Sequence, residues 1–209
     1  MAPAPEKPAG ASRFGRIAIV LAGLLVLAAG AFLGLAFRDN PRGAAGTLLA
    51  SAIGGPFHLV DQNGKPFGDA DLKGKWHLVF FGYTHCPDTC PTALNEMVLA
   101  LDRLGKQRDA VSIVFITVDP ERDTPEVLKS YVESFDAPIV ALTGSAAAVK
   151  EAARAYRVYY ARHTRADGDY DMDHSAVIYV MDPKGRFTAT FTPDSTAGAI
   201  AERLLKLLT

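Results

Sequence analysis

Trp76-His77-Leu78-Val79-Phe80-Phe81-Gly82-Tyr83-Thr84-His85-Cys86-Pro87-Asp88-Thr89-Cys90-Pro91 is the stretch that decides the fold of this chain. Trp76–Phe81 is an apolar run of strand length, the pattern of a central strand buried on both faces. Beyond Cys86, Leu94, Met97, Val98 and Leu101 recur at helical spacing as far as Leu104. A strand therefore delivers Cys86 into a loop, and Cys90 falls in or beside the first turn of a helix. There, unpaired backbone N–H groups and the helix dipole favour a thiolate. Four residues make one helical turn, so a helical loop would set both sulfurs on one side.

Outward from this stretch the pattern alternates. Phe57–Val60 reads as a short strand before the turn Asp61-Gln62-Asn63-Gly64, and Val111–Val118 as a second buried strand. Thr124-Pro125-Glu126 supplies an N-cap, a proline at the first helical position and an early acid, opening a helix to about Phe135. Ile139–Leu142 is a strand and Ser145–Tyr156 an alanine-rich helix. Val158–Arg162 and the segment from Tyr170 form a hairpin or extended excursion. Ala176–Met181 and Phe187–Phe191 flank the turn Asp182-Pro183-Lys184-Gly185, and Ala199–Leu208 is a terminal amphipathic helix. Strands alternating with helices, closed by a hairpin and a helix, make an α/β domain. The cysteine pair where the first buried strand meets its helix narrows this to a thioredoxin-like fold.

The N-terminal part has a different composition. Ile17–Phe37 holds 21 residues without a charged side chain. As a helix it would be about 31 Å long, matching the hydrocarbon core of a bilayer. Lys7, Arg13 and Arg16 precede it against Arg38 and Arg42 after it, a slight excess that keeps the N-terminal side cytoplasmic. Ala29-Gly30-Ala31 resembles a signal-peptidase site, but the apolar run continues to Phe37, beyond the roughly 7–15 residues of a signal core. An uncleaved anchor is the better reading, and both readings export the domain. The expected organisation is a cytoplasmic tail (1–16), a transmembrane anchor (17–37), a linker rich in glycine with one proline (38–54) and a thioredoxin-like domain (55–209). The domain then sits in the periplasm on the inner membrane, or in the intermembrane space if the protein is mitochondrial.

With a formal net charge of −1 over 209 residues and no basic cluster, nucleic-acid binding is set aside. Two cysteines four positions apart cannot build a disulfide framework; in an exported protein such a pair is redox-active or a metal clip. The pair alone leaves a catalytic dithiol and half of a soft-metal site both open. Asp173-His174-Ser175 shifts that balance. The loop entering the corresponding strand of a thioredoxin-like fold faces the cysteines and normally carries a proline; here it carries a histidine. Two thiolates and an imidazole suit copper and would also take zinc. Cu(I) accepts three donors, whereas structural zinc wants a fourth, which is not evident.

His58, His77 and His163 read as structural or solvated, and His85 points away from its neighbour Cys86 in extended chain. Asp88 and Asp119 are candidates for orienting ligands from behind, with helix capping the simpler role for Asp88. Ser112, Thr117 and Ser175 have no base in useful context. A thiol peroxidase would want a threonine where Tyr83 stands, three residues before Cys86.

Gly82-Tyr83-Thr84-His85-Cys86-Pro87-Asp88-Thr89-Cys90-Pro91 and Thr117-Val118-Asp119-Pro120-Glu121-Arg122-Asp123-Thr124 occur in order in this chain. Leu142-Thr143-Gly144, Tyr156-Arg157-Val158-Tyr159-Tyr160, Asp173-His174-Ser175 and Asp182-Pro183-Lys184-Gly185 follow them. Together they resemble the Sco/SenC family of copper chaperones over about residue 55 to the C-terminus. The resemblance implies an anchored thioredoxin-like domain holding one copper ion, Cu(I) or Cu(II), through Cys86, Cys90 and His174. It further implies a Cys86–Cys90 pair that forms a redox-active disulfide. The implied partner is cytochrome c oxidase subunit II, or another copper-accepting protein, and the implied role is a metallochaperone rather than an enzyme. The alternative is an exported thiol-disulfide oxidoreductase acting on the cysteines of that or another copper site.

Overall fold

The structure is a computed structural model that describes residues 53–209. The expected tail, the anchor Ile17–Phe37 and nearly all of the linker lie outside the described residues. Among the described residues no helix is long and apolar enough to cross a membrane. Ile53 packs against the domain core, and the Gly54 N–H donates to the Ala155 carbonyl at 2.9 Å.

The strands are β1 (His58–Asp61), β2 (Pro66–Gly68), β3 (Trp76–Gly82), β4 (Val111–Thr117), β5 (Ile139–Thr143), β6 (Tyr160–Thr164), β7 (Tyr170–His174), β8 (Ile178–Met181) and β9 (Phe187–Phe191). The helices are α1 (Thr89–Arg103), α2 (Pro125–Val132), α3 (Ala146–Ala155) and α4 (Ala197–Leu208). Seven strands form one sheet in the order β2-β1-β5-β4-β3-β8-β9, while β6 and β7 make a separate hairpin. β3, β4 and β5 run parallel, and β8 joins β3 antiparallel. This is the mixed α/β, thioredoxin-like architecture expected from the alternation of elements.

The central position of β3 explains its sequence. Leu78 through Phe81 are fully buried because both faces of the strand are covered. Phe80 meets Phe115 on one face, and Phe81 meets Tyr156 and Tyr179 on the other. The apolar stripe of α1 packs on α4, while α2 lies against β5 and α3 against β1.

The sequence signals act locally as expected in most places. Thr124 Oγ1 accepts the N–H of Val127 to cap α2, and Ser145 Oγ accepts that of Ala148 to cap α3. Gly64 and Gly185 take positive φ, 74° in each, at the turns closing β1–β2 and β8–β9. Several bounds shift: β6 runs Tyr160–Thr164 rather than Val158–Arg162, and α4 starts at Ala197 rather than Ala199. α2 ends at Val132 rather than near Phe135, with Ser134 and Phe135 continuing only as turns. β8 begins at Ile178 rather than Ala176, because Ser175 is bonded back to Tyr159 at the end of the hairpin.

Candidate metal centre

Cys86 is carried by a loop that is not itself helical, and Cys90 by the helix that follows it. The strand β3 ends at Gly82, and the Cys86 N–H donates to the Tyr83 carbonyl at 3.2 Å, closing a tight turn. α1 starts only at Thr89, so Cys86 precedes the helix and Cys90 lies in its first turn. The two sulfurs meet because the loop folds over the helix N-terminus. The free N–H of Cys90 points at the Cys86 Sγ, 3.4 Å away. Asp88 occupies the N-cap position, but its side chain makes no capping bond; its carbonyl accepts the Thr92 N–H at 3.1 Å. It stands exposed beside the loop and does not join the sulfur cluster.

His174 arrives from the hairpin. It is the last residue of β7, opposite Tyr160 of β6, rather than part of a free loop entering β8. Its Nε2 lies 3.5 Å from the Cys90 Sγ. The donor atoms of Cys86, Cys90 and His174 all lie within 4.8 Å of one another, and this is the one such cluster among the described residues. The imidazole is held edge-on against Phe80 and Tyr83, with ring centres 6.2 and 5.9 Å away. Its Nδ1 is buried without a partner among the described residues, so aromatic packing orients the ring.

Both cysteines are free thiols, and their surroundings separate them. Hydrogen bonding with Cys90 does most to pull the Cys86 thiol down, to about 4; burial opposes it, and His174 and the Cys90 N–H add to it. Cys90 is pushed up instead, by its bond to Cys86, by burial and by its neighbour's charge. The half-buried Cys86 is therefore the more acidic thiol, and the fully buried Cys90 the one disposed to keep its proton. A three-coordinate ion about 2.0–2.3 Å from each donor would hold the donors roughly 3.5–4 Å apart. The cluster is compact enough for that arrangement, and its S₂N donors are soft.

The other histidines stay out. His85 is exposed, with Nδ1 3.1 Å from the Thr84 hydroxyl. His58 and His163 are exposed, and His77 is buried in β3. Asp119 is buried, yet it touches none of the three donors; it pairs with Arg122 and accepts the Tyr170 hydroxyl at 2.9 Å.

Residues passed over in the sequence support the site. Asp123 is fully buried and accepts the Thr84 N–H, the Thr84 hydroxyl and the Thr117 hydroxyl. It ties the start of the cysteine loop to the end of β4. Its signal was its place within Thr117–Thr124, a polar motif directly following a buried strand. Gly82 is also required by contact: a Cβ there would lie 2.8 Å from the Cys90 Sγ and 2.8 Å from Phe115 Cε2.

Comparison with known proteins agrees with this architecture. The family model described as SCO1/SenC matches residues 45–209. The mitochondrial SCO1 homologue 1 of Arabidopsis thaliana is 40% identical over 158 residues, 75% of this chain and 47% of its own length. The chain thus spans about half the length of that relative. The structure of Bradyrhizobium japonicum ScoI, solved with copper bound, superposes with a TM-score of 0.69 at 50% identity, covering 74% of this chain and 99% of that one. BsSco, in which a disulfide switch was identified and which is described as a member of the Sco family of cytochrome c oxidase assembly proteins, superposes with a TM-score of 0.60. It is 25% identical, over 75% of this chain and 93% of its own. The matched span includes both cysteines, the histidine and every element that positions them, and the chain belongs to the SCO1/SenC family.

Proposed function

We propose that this protein is a membrane-anchored copper metallochaperone that binds one copper ion through Cys86, Cys90 and His174 and hands it to a copper-accepting protein. The binuclear copper centre of cytochrome c oxidase subunit II is the proposed destination. The observation that carries this reading is the convergence of two sulfurs and an imidazole nitrogen within 4.8 Å, from segments 84 residues apart. A dithiol reductase has no need of that nitrogen. The copper-bound relative and the oxidase-assembly relative support the choice of metal and destination.

Ligand exchange is the chemistry the site allows. Cys86 is half-buried and the more acidic thiol, while Cys90 is fully buried, so Cys86 is the donor that an incoming soft ligand meets first. Cys90, buried against Gly82, and His174, wedged between aromatic rings, hold the cargo while the exchange proceeds. The run Ile17–Phe37 would anchor the domain on the outer face of the cytoplasmic membrane, confining it and its acceptor to one surface and raising their effective concentration. A reporter fused to the C-terminus should be active only if it works in the exported compartment.

A second reading, thiol-disulfide exchange, draws on the separation of the two thiols. The Cys86 thiolate would attack a partner disulfide, releasing one partner thiolate. Cys90 would then lose its proton and attack the mixed disulfide, leaving Cys86–Cys90 oxidised and the partner fully reduced. His174→Ala separates the two readings. It should cut copper stoichiometry and the thiolate-to-copper absorption while leaving Cys86–Cys90 disulfide formation intact, with His85→Ala and His163→Ala behaving as the parent. If His174→Ala binds copper like the parent and disulfide exchange persists, the chaperone reading is wrong and the exchange reading stands.

A further inference from the structure

We infer that Tyr170 is the positioning residue for His174, acting through a clamp in which two arginines and a buried aspartate fix the β6–β7 hairpin. The inference rests on the ligand role proposed for His174. That hairpin is not part of the seven-stranded sheet, so sheet pairing does not locate it. Something else must set its last residue, His174, against the sulfurs.

Tyr170 opens the strand that His174 closes. Its ring is stacked between two guanidinium groups, Arg122 at 3.8 Å and Arg162 at 4.0 Å from the ring centre. Its hydroxyl donates to Asp119 Oδ1 at 2.9 Å, and its carbonyl accepts from Arg122 Nη1 at 3.0 Å. Asp119 is 1% exposed and its other oxygen takes the Arg122 Nε–H. Arg162 lies across the hairpin in β6 and pairs with Glu121. Every partner of Tyr170 outside the hairpin therefore sits on the four-residue segment Asp119–Arg122, directly after β4. Arg122 also lies 5.9 Å from the ring centre of Tyr83, whose own edge contact holds the His174 imidazole. One guanidinium thus touches the anchor of the hairpin and the wall of the donor pocket.

The tip of the hairpin is laced by Arg165 to Asp167, Asp169 and Asp171, and Arg122 of the clamp reaches Asp169 as well. Tyr170 pairs with Thr164 at the tip end of the ladder and lies on the same strand face as His174 four residues on, so the clamp pins the register whose slip would turn His174 away from the cysteines.

The test is a double-mutant cycle read by Cu(II) binding to the reduced protein. Tyr170→Ala should weaken copper binding by tenfold or more in the parent and leave it unchanged in a His174→Ala background, because the imidazole it places is already gone. Tyr170→Phe, which keeps the stack and loses only the bond to Asp119, should give a smaller loss and a folded protein. In metal-free protein the His174 ring signals in NMR should broaden or split in Tyr170→Ala while those of His77 stay sharp. Equal losses in both backgrounds, or unchanged binding and unchanged His174 signals, would overturn the positioning role. If His174→Ala alone leaves copper binding intact, the ligand assignment fails instead, and the NMR arm still decides whether Tyr170 orders the ring.

Discussion

Thr84 and Asp123 are joined twice, the backbone N–H and the hydroxyl of Thr84 donating to the two carboxylate oxygens at 3.0 and 2.6 Å. Thr84 stands two residues before Cys86, so this pair sets where the cysteine loop leaves the sheet. Asp123→Ala would take the acceptor from the buried Thr117 hydroxyl and from two part-buried donors of Thr84, whose hydroxyl keeps His85 Nδ1 within reach; a buried donor left unpaired costs about 1–3 kcal/mol. We expect a loss of roughly 2–4 kcal/mol, less than the sum because water and local shifts recover part of it. Asp123→Asn retains one carbonyl oxygen and should cost less. Urea unfolding of the reduced apo-protein measures both, and equal stability of Asp123→Ala and the parent would show that the Thr84–Asp123 pair does not hold the loop.

Gly82→Ala tests the same loop from beneath. The added methyl would press on the Cys90 Sγ and on the Phe115 ring, both 2.8 Å from its position, and both groups are buried. Overpacking of this kind costs about 1–3 kcal/mol. Because one of the displaced atoms is a proposed ligand, copper affinity should fall along with stability. A variant that is destabilised yet binds copper as the parent does would show that the sulfur relaxes without leaving the site.

The fold was legible because β3 and its cysteines are consistent at every level: an apolar run, a turn, then a helical period. His174 was legible for a different reason, as a histidine where a proline was expected. Its setting was not. A histidine closing β7 and one in a loop before β8 have the same local sequence, and only the pairing of Tyr160 with His174 distinguishes them. The clamp was harder still. Asp119, Arg122, Arg162 and Tyr170 are ordinary surface residue types, and their convergence depends on where the hairpin lands. Asp88 shows the converse: an aspartate at an N-cap position reads as a cap, but its backbone φ of −144° and ψ of −61° leave the side chain without a capping bond.

His77 should give the domain a pH-dependent stability whose sign follows from its burial. It is 5% exposed, neither ring nitrogen has a partner in good hydrogen-bonding geometry, and burial, with Lys75 nearby, pulls its pKa below the usual 6.5 against a weaker opposing pull from the Leu72 backbone. The unfolded chain therefore takes up a proton near pH 6.5 that the folded chain refuses, so unfolding binds protons and stability falls as pH drops below that value. Urea unfolding between about pH 7.5 and pH 5 should show the decline, and His77→Leu should flatten part of it. The same slope in parent and variant would assign the effect elsewhere.

Cys86 carries the last prediction, on the reduced, metal-free protein. A thiol held at about 4 stays a thiolate through the neutral range, and the sign follows: protonation removes its nucleophile only as pH falls toward that value. Alkylation by iodoacetamide should then be nearly independent of pH from about 8 down to about 5, whereas an ordinary cysteine with a pKa of about 8.5 loses roughly tenfold per pH unit over the same range. The plateau rate should be modest, because a thiolate of low basicity is a weaker nucleophile. One label per chain is expected, on Cys86, with the buried and protonated Cys90 unmodified until the protein unfolds. Cys90→Ser replaces the strongest of the interactions that hold Cys86 down with a weaker one, so the reactivity profile should move toward that of an ordinary cysteine. Mass mapping after alkylation locates the label. Reaction first at Cys90, or a steep fall in rate below about pH 8 in the parent, would reverse the roles assigned to the two thiols.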